Sequence, residues 1–264
     1  MVKRDELIGV VHDLLGKDLL DTAVSLDSSA NGVQVHGKEE VETIALGVSC
    51  NLDFLNEAVS AGADMTLTHH GLNLSEKYLH NARLDPAAQA RLRVVFSNDI
   101  TVSAYHYTLD AHKEFGNNVV IIRKLGAKRL DIPYFETWGW VGEFAKPIPL
   151  SELADKCAQL FSHDIYAVYS SLPSTKIRRI GVCSGGARPA GKTLFEALEK
   201  GVELHICGEI VEGLDHVAKE SGLNYFACGH YATEVFGVQE LGKKLKNRYR
   251  DKLEIEFIDI PNIL

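Results

Sequence analysis

Two adjacent histidines, His69-His70, close a strand-like run, and two further pairs with metal-ligand spacing follow far along the chain, His106-x-x-x-Asp110 and His230-x-x-x-Glu234. Imidazole and carboxylate are borderline and hard donors, and together these residues have the chemistry to share two divalent cations. Water held between two such ions becomes a nucleophile at neutral pH, so the pattern points to metal-dependent hydrolysis. Residues four apart lie on one helical face. His230 and Glu234 can therefore reach one ion, or two adjacent ions, from the first turn of a helix opening near Tyr231, and the same spacing serves His106 and Asp110. The tandem pair is harder to place, because consecutive strand residues point to opposite faces. Both imidazoles converge only where the strand has ended, and Gly71 offers a sharp exit. Any one of these histidines alone reads more simply as a cap or a satisfied core residue; their coincidence reverses that judgement.

The elements that must carry these residues alternate. Leu7, Ile8, Val11, Leu14 and Leu15 mark a helix within residues 1 to 20, and Thr43 to Cys50 reads as a strand. Asn51 caps a helix running to about Gly62, after which a strand from Asp64 to Thr68 delivers His69 and His70 at its C-terminal end. Asp85-Pro86 opens a helix, Ile100 to Tyr105 makes a strand ahead of His106, and Gly116-Asn117-Asn118 starts a further helix. Beyond a Pro- and aromatic-containing stretch at Ile132 to Phe135 come a strand at Trp138 to Phe144, a helix at Ser151 to Phe161 and a strand at Ile165 to Tyr169. The fold class is α/β.

The second half repeats the first. Gly47-Val48-Ser49-Cys50 corresponds to Gly181-Val182-Cys183-Ser184, and Glu57-Ala58 through His70 aligns without a gap to Glu196-Ala197 through Glu209. His69-His70 then faces Gly208-Glu209, and His106-x-x-x-Asp110 matches His230-x-x-x-Glu234, with 15 more residues between the motifs in the first half (70 to 106 against 209 to 230). We expect two related α/β lobes, about 1–126 and about 127–264, facing a common dinuclear metal cleft, within a single domain of 1–264.

Composition narrows the function classes. With 45% hydrophobic residues over 264 positions the chain can bury a substantial core. A formal charge of -8 disfavours a nucleic-acid coat or an anionic-membrane binder. No segment is apolar and long enough to span a bilayer, and MVKRDELIGVVHDLLG lacks the h-region of a secretory signal. Cys50, Cys157, Cys183, Cys207 and Cys228 form no CxxC pair and read as reduced, small buried hydrophobes, which places the chain in the cytoplasm. Among the other histidines, His12, His36, His80, His163 and His216 have no ligand-spaced partner; His112 either orients a ligand or faces solvent, and His205 is structural.

In combination, Asn31-Gly32-Val33-Gln34-Val35, Thr68-His69-His70, Tyr105-His106-Tyr107-Thr108-Leu109-Asp110, Gly116-Asn117-Asn118, Cys183-Ser184-Gly185-Gly186-Ala187, Gly208-Glu209 and Gly229-His230-x-x-x-Glu234 are highly specific. Over nearly its whole length the chain resembles the GTP cyclohydrolase 1 type 2 homologue family, also called NIF-three-like. The resemblance implies a dinuclear centre with His69, His70, Asp110, His230 and Glu234 as ligands, Glu234 bridging, and His106 close by as an extra ligand or acid/base. It also implies a toroidal homohexamer, here in a short form without the inserted regulatory domain. Two departures stand out: Ser28-Ser29-Ala30 replaces the Trp-Asp that often precedes the Asn-Gly, and Thr68 replaces proline or serine before the histidine pair. Neither touches a ligand; the first bears on the wall of a substrate pocket.

The leading expectation is a metal-dependent hydrolase of a nucleotide-like or other small substrate, using two divalent ions (zinc, iron, manganese, cobalt or nickel), with His106 or Glu209 transferring the proton. GTP ring hydrolysis is one reaction in that class, although no GxxxxGK[ST] loop is present. Gly181 to Gly186 reads either as a small anion-binding turn or as a tight structural turn. The alternative is a ring-shaped module binding nucleic acid or protein around a structural metal, for which the run Lys243, Lys244, Lys246, Arg248, Arg250 and Lys252 is slender support, since basic residues at a helix end usually form a solvated face. A third reading is metal storage or delivery without catalysis.

Overall fold

The computed structural model describes residues 1–74 and 83–262, so His80 lies outside the described residues. The N-terminal amphipathic run is two helices, not one. After the short strand β1 (Val2–Lys3), α1 (Arg4–Leu15) and α2 (Lys17–Leu26) are divided at Gly16, whose φ of 88° no helix can continue through. The chain then forms β2 (Asn31–Val35), β3 (Glu40–Val41), β4 (Thr43–Ser49), α3 (Leu52–Ser60), β5 (Met65–His70), α4 (Pro86–Ser97), β6 (Thr101–Tyr105) and α5 (Tyr107–Ala111). Next come α6 (Asn117–Lys124), β7 (Lys128–Tyr134), β8 (Gly139–Pro149), α7 (Leu150–Phe161), β9 (Tyr166–Val168) and β10 (Lys176–Val182). They are followed by α8 (Lys192–Glu199), β11 (Leu204–Cys207), α9 (Leu214–Ser221), β12 (Asn224–Ala227), α10 (His230–Tyr249) and β13 (Glu254–Phe257). Among the described residues no helix is long and apolar enough to cross a membrane.

The chain divides into two compact units. Among the described residues, the first comprises Met1–His112 and Gly237–Ile260 and the second Lys113–Phe236 with Pro261 and Asn262. The C-terminal segment belongs with the N-terminal one because β13 pairs in parallel with β4, completing a five-stranded sheet in the order β13-β4-β5-β6-β2. In that sheet β4, β5 and β6 run parallel and β2 closes the edge antiparallel to β6. Helix α3 presents Phe54, Leu55 and Ala58 to Ala45, Val95 and Val102, which form one apolar cluster. Its N-terminus is held as its sequence predicts: the Asn51 side chain accepts from the Phe54 N–H at 2.8 Å. Asn51→Ala should lower the unfolding free energy by about 1 kcal/mol in urea titrations; an unchanged midpoint would show that this cap contributes nothing.

The second unit holds a six-stranded sheet, β7-β8-β10-β11-β12-β9. Here β10, β11 and β12 are parallel, and β9 pairs antiparallel with β12, so three parallel strands with an antiparallel edge strand occur in this unit as in the first. The stretch around Ile132, expected to lie between elements, is part of edge strand β7. Its Pro133 is tolerated because β7 has one neighbour, and the register with β8 shifts between Arg129 and Pro133. Ile122 of α6, Phe144 of β8, Phe161 of α7, Ile206 of β11 and Phe226 of β12 share the main core. All five cysteines are free and buried.

Candidate metal centre

In the first unit the ligand-type side chains gather at the C-terminal ends of parallel strands, where α/β sheets place their chemistry. The expected strand end at Thr68 is corrected: β5 runs through His70, which is paired with Ser49 of β4. The two imidazoles nevertheless converge, with ring centroids 4.8 Å apart. The His70 carbonyl accepts from both the Cys50 N–H and the Thr68 hydroxyl, each at 2.9 Å, which holds the end of the strand. A Cβ at Gly71 would stand 2.1 Å from Gln34 Oε1, which accepts from the Leu72 N–H, so a larger residue there would have to displace that side chain.

His106 follows β6 directly and forms the N-cap residue of α5, and Asp110 lies one turn further on. His69 Nε2 is 3.6 Å from Asp110 Oδ2, and both side chains are almost wholly buried. The His106 ring lies 4.8 Å from that of His69 and 5.4 Å from that of His70, and one ligand atom from each of the three falls within 4.8 Å of the others. Ser49 Oγ lies 3.0 Å from His70 Nδ1, which leaves Nε2 as that ring's other polar atom.

The second unit assembles its own set. His230 opens α10, with Nε2 3.2 Å from Glu234 Oε1 one turn along and Nδ1 2.7 Å from Glu209 Oε1. Burial pulls the His230 imidazole down, but the Glu234 and Glu209 carboxylates outweigh it and hold the ring up at about 9. Without metal, both ring nitrogens therefore carry protons and donate to the two acids. The glycine-rich segment is a structural turn: the Ser184 N–H donates to Asn118 Oδ1 at 2.7 Å and the Gly185 N–H to Thr233 Oγ1 at 3.0 Å, so these donors are spent within the protein and the anion-binding alternative fails for them.

A buried polar chain supports this turn. His205 Nε2 donates to the Ala187 carbonyl at 2.7 Å, which fixes Nδ1 as acceptor of the Tyr134 hydroxyl at 2.6 Å. The structural role expected of His205 is thus what the structure shows. Complete burial lowers its pKa from 6.5 to about 4, with the Ala187 bond opposing that fall. The unfolded chain then binds the extra proton between those values, so stability is lost as pH falls below about 6.5, the loss being complete near 4 and reaching about 3 kcal/mol. Urea unfolding at pH 7 and pH 4.5 should show a smaller acid penalty in His205→Gln than in the wild type; equal slopes would refute the assignment.

The donor sets, imidazole and carboxylate without thiolate, suit zinc, iron, manganese, cobalt or nickel. The family model DUF34/NIF3 (NGG1p interacting factor 3) matches residues 2–263. The chain belongs to the DUF34/NIF3 family. A DUF34/NIF3 relative in Pseudomonas aeruginosa, named GTP cyclohydrolase 1 type 2 homolog, is 35% identical over 254 residues, covering 92% of this chain and 93% of the relative. The solved structure of protein ybgI, described as of unknown function, superposes with a TM-score of 0.82 at 33% identity over 99% of each chain. TTHA1606 from Thermus thermophilus gives 0.80 at 30% identity over 100% of each.

The family motifs now have local explanations. In this DUF34/NIF3 chain Asn31 Oδ1 accepts from the Thr108 N–H and hydroxyl at 3.1 and 3.0 Å, clamping the first turn of α5 between His106 and Asp110. Asn118 spans the Ser184 N–H and the Trp138 carbonyl. Glu209 Oε1 is bonded to His230, and His106 is grouped with His69 and His70. His112 Nε2 donates to the Leu14 carbonyl at 3.2 Å. Two partners escaped the sequence reading: Ser49, quoted only for the repeat, and Asp27, whose Oδ2 lies 2.8 Å from His106 Nδ1. The available signal was an acid four residues before Asn31.

Proposed function

We propose that this protein is a dinuclear metal-dependent hydrolase acting on a nucleotide-like or other small substrate in the cytoplasm. The observation that carries the reading is the gathering of His69, His70, His106 and Asp110 at the strand ends of the first unit. The sequence resemblance also implies His230 and Glu234 as ligands, and in the second unit His230 Nε2 and Glu234 Oε1 lie 3.2 Å apart. Bound by these donors, two divalent ions would lower the pKa of a shared water toward neutrality and polarise the scissile group. Asp110 and Glu234 contribute the negative charge that balances the cations, and their burial excludes competing water. Glu209, half-exposed, has one oxygen on His230 and the other beside Gly186, where it can take up a proton. We further propose assembly as a homohexameric ring, which the sequence resemblance implies and light scattering tests.

The deciding experiment is turnover by metal-reconstituted protein on nucleotides including GTP, phosphodiesters and cyclic amides. Metal-dependent product from one class establishes the enzyme and names its reaction. A protein verified to hold two ions that converts nothing overturns the hydrolase in favour of binding or metal handling.

A further inference from the structure

Asp27 is the C-cap residue of α2, and its side chain is 4% exposed. Its carboxylate is saturated with donors: Oδ2 receives His106 Nδ1 at 2.8 Å, Asn31 Nδ2 at 2.8 Å and the Tyr107 N–H at 3.1 Å, and Oδ1 receives the Ser29 N–H at 2.8 Å. A carboxylate engaged by four donors stays ionised and can only accept. The shared hydrogen of the 2.8 Å contact therefore resides on His106 Nδ1. When the ring is neutral, its other nitrogen, Nε2, then carries a lone pair and no hydrogen.

That assignment matters because of what the ring neighbours. His106 contributes to a group of three imidazoles whose ligand atoms lie within 4.8 Å of one another, and a hydrogen on Nε2 would block its use as a ligand. A carboxylate bonded to the far nitrogen of a histidine is a general means of fixing tautomer and orientation and of raising ligand basicity. The backbone cooperates: Asn31, opposite Tyr105 across the β2–β6 pairing, ties Asp27 to the first turn of α5, so carboxylate and ring are held by the same strand ends. His230 carries Glu209 on its Nδ1 in the same relation at 2.7 Å.

We propose that Asp27 is a positioning residue that fixes His106 in the Nδ1–H tautomer and so makes it a third imidazole ligand, beside His69 and His70, in a metal site contained in the first unit. This rests on the reading that these donors hold metal, and it assigns His106 to the ion rather than to proton transfer.

The test compares wild type, Asp27→Ala and Asp27→Asn by two readouts. Long-range proton–nitrogen correlation spectra of metal-free protein labelled at histidine report the His106 tautomer. Chelator competition reports the affinity for zinc. Wild type is expected to show a single Nδ1–H tautomer. Asp27→Asn preserves size and most backbone contacts while offering His106 an amide hydrogen, which favours the opposite tautomer. Both variants should bind zinc about 10–100-fold more weakly. An unchanged tautomer, or unchanged zinc affinity in folded Asp27→Asn, overturns the proposal. The experiment needs no turnover, so failure of the hydrolase reading on every substrate is a separate result.

Discussion

Glu234→Ala is expected to abolish metal-dependent turnover, by more than about a hundredfold, and to reduce bound metal by at least one ion per chain while the fold persists. The side chain is 2% exposed, and its Oε1 lies 3.2 Å from His230 Nε2. With it gone, the second unit retains His230 and Glu209, and Glu209 is bonded to the other ring nitrogen. Among the described residues of that unit, neither of these two then balances a cation on the Nε2 side. Glu234→Gln separates charge from packing, because it fills the same volume without the anion; it should fall nearly as far in metal content while unfolding at close to the wild-type midpoint. Metal analysis of dialysed protein, circular dichroism and turnover on whichever substrate proves active provide the measurements. Full metal content and unchanged rates in folded Glu234→Ala would remove Glu234 from the proposed set of ligands.

The residues proposed to touch metal were legible in the sequence, while those that aim them were not. His69, His70, His106, Asp110, His230 and Glu234 announce themselves by donor type, by i to i+4 spacing and by their place after apolar strand runs, all of which are local properties. Asp27 lies 79 residues from the histidine it supports, and nothing local to Leu26-Asp27-Ser28 distinguishes a buried carboxylate from an exposed turn acid. The convergence of His69 and His70 was unreadable for another reason: strand periodicity sends successive side chains to opposite faces, yet the two rings stand 4.8 Å apart although β5 runs through His70. Helix starts at Asn51 and Asp85 were found because a cap is chemistry confined to four residues. Edge strand β7 was missed because its proline argues against a strand until a sheet edge is known to be there. The division of the first helical run at Gly16 was open to the same reading that favoured a continuous helix, since a lone glycine within an amphipathic pattern is ambiguous between a weak helical position and a stop.

Gly185→Ala is expected to damage the second unit's donors almost as severely as removing Glu234, from a position with no chemistry of its own. A Cβ on Gly185 would stand 2.2 Å from Glu234 Oε1 and 3.1 Å from His230 Nε2. The turn cannot retreat freely, because the Gly185 N–H is bonded to Thr233 and its carbonyl accepts from the Gly208 N–H at 2.8 Å. Gly185 also has φ +63°, where an alanine costs about 1–2 kcal/mol. Two effects are thus combined, a backbone penalty read as lowered unfolding free energy and a displaced carboxylate read as lost metal. Gly186→Ala is the control: its Cβ would meet Glu209 Oε2 at 3.2 Å, the far end of a flexible side chain that can yield. The two effects separate in a double-mutant cycle with Glu234→Ala. If the methyl group acts by pushing Glu234 aside, Gly185→Ala lowers metal affinity in the wild type and adds little once Glu234 is alanine, while the stability penalty persists in both backgrounds. Additive losses of metal affinity would show instead that the damage travels through the backbone of the turn, and the direct contact between Gly185 and Glu234 would lose its functional meaning.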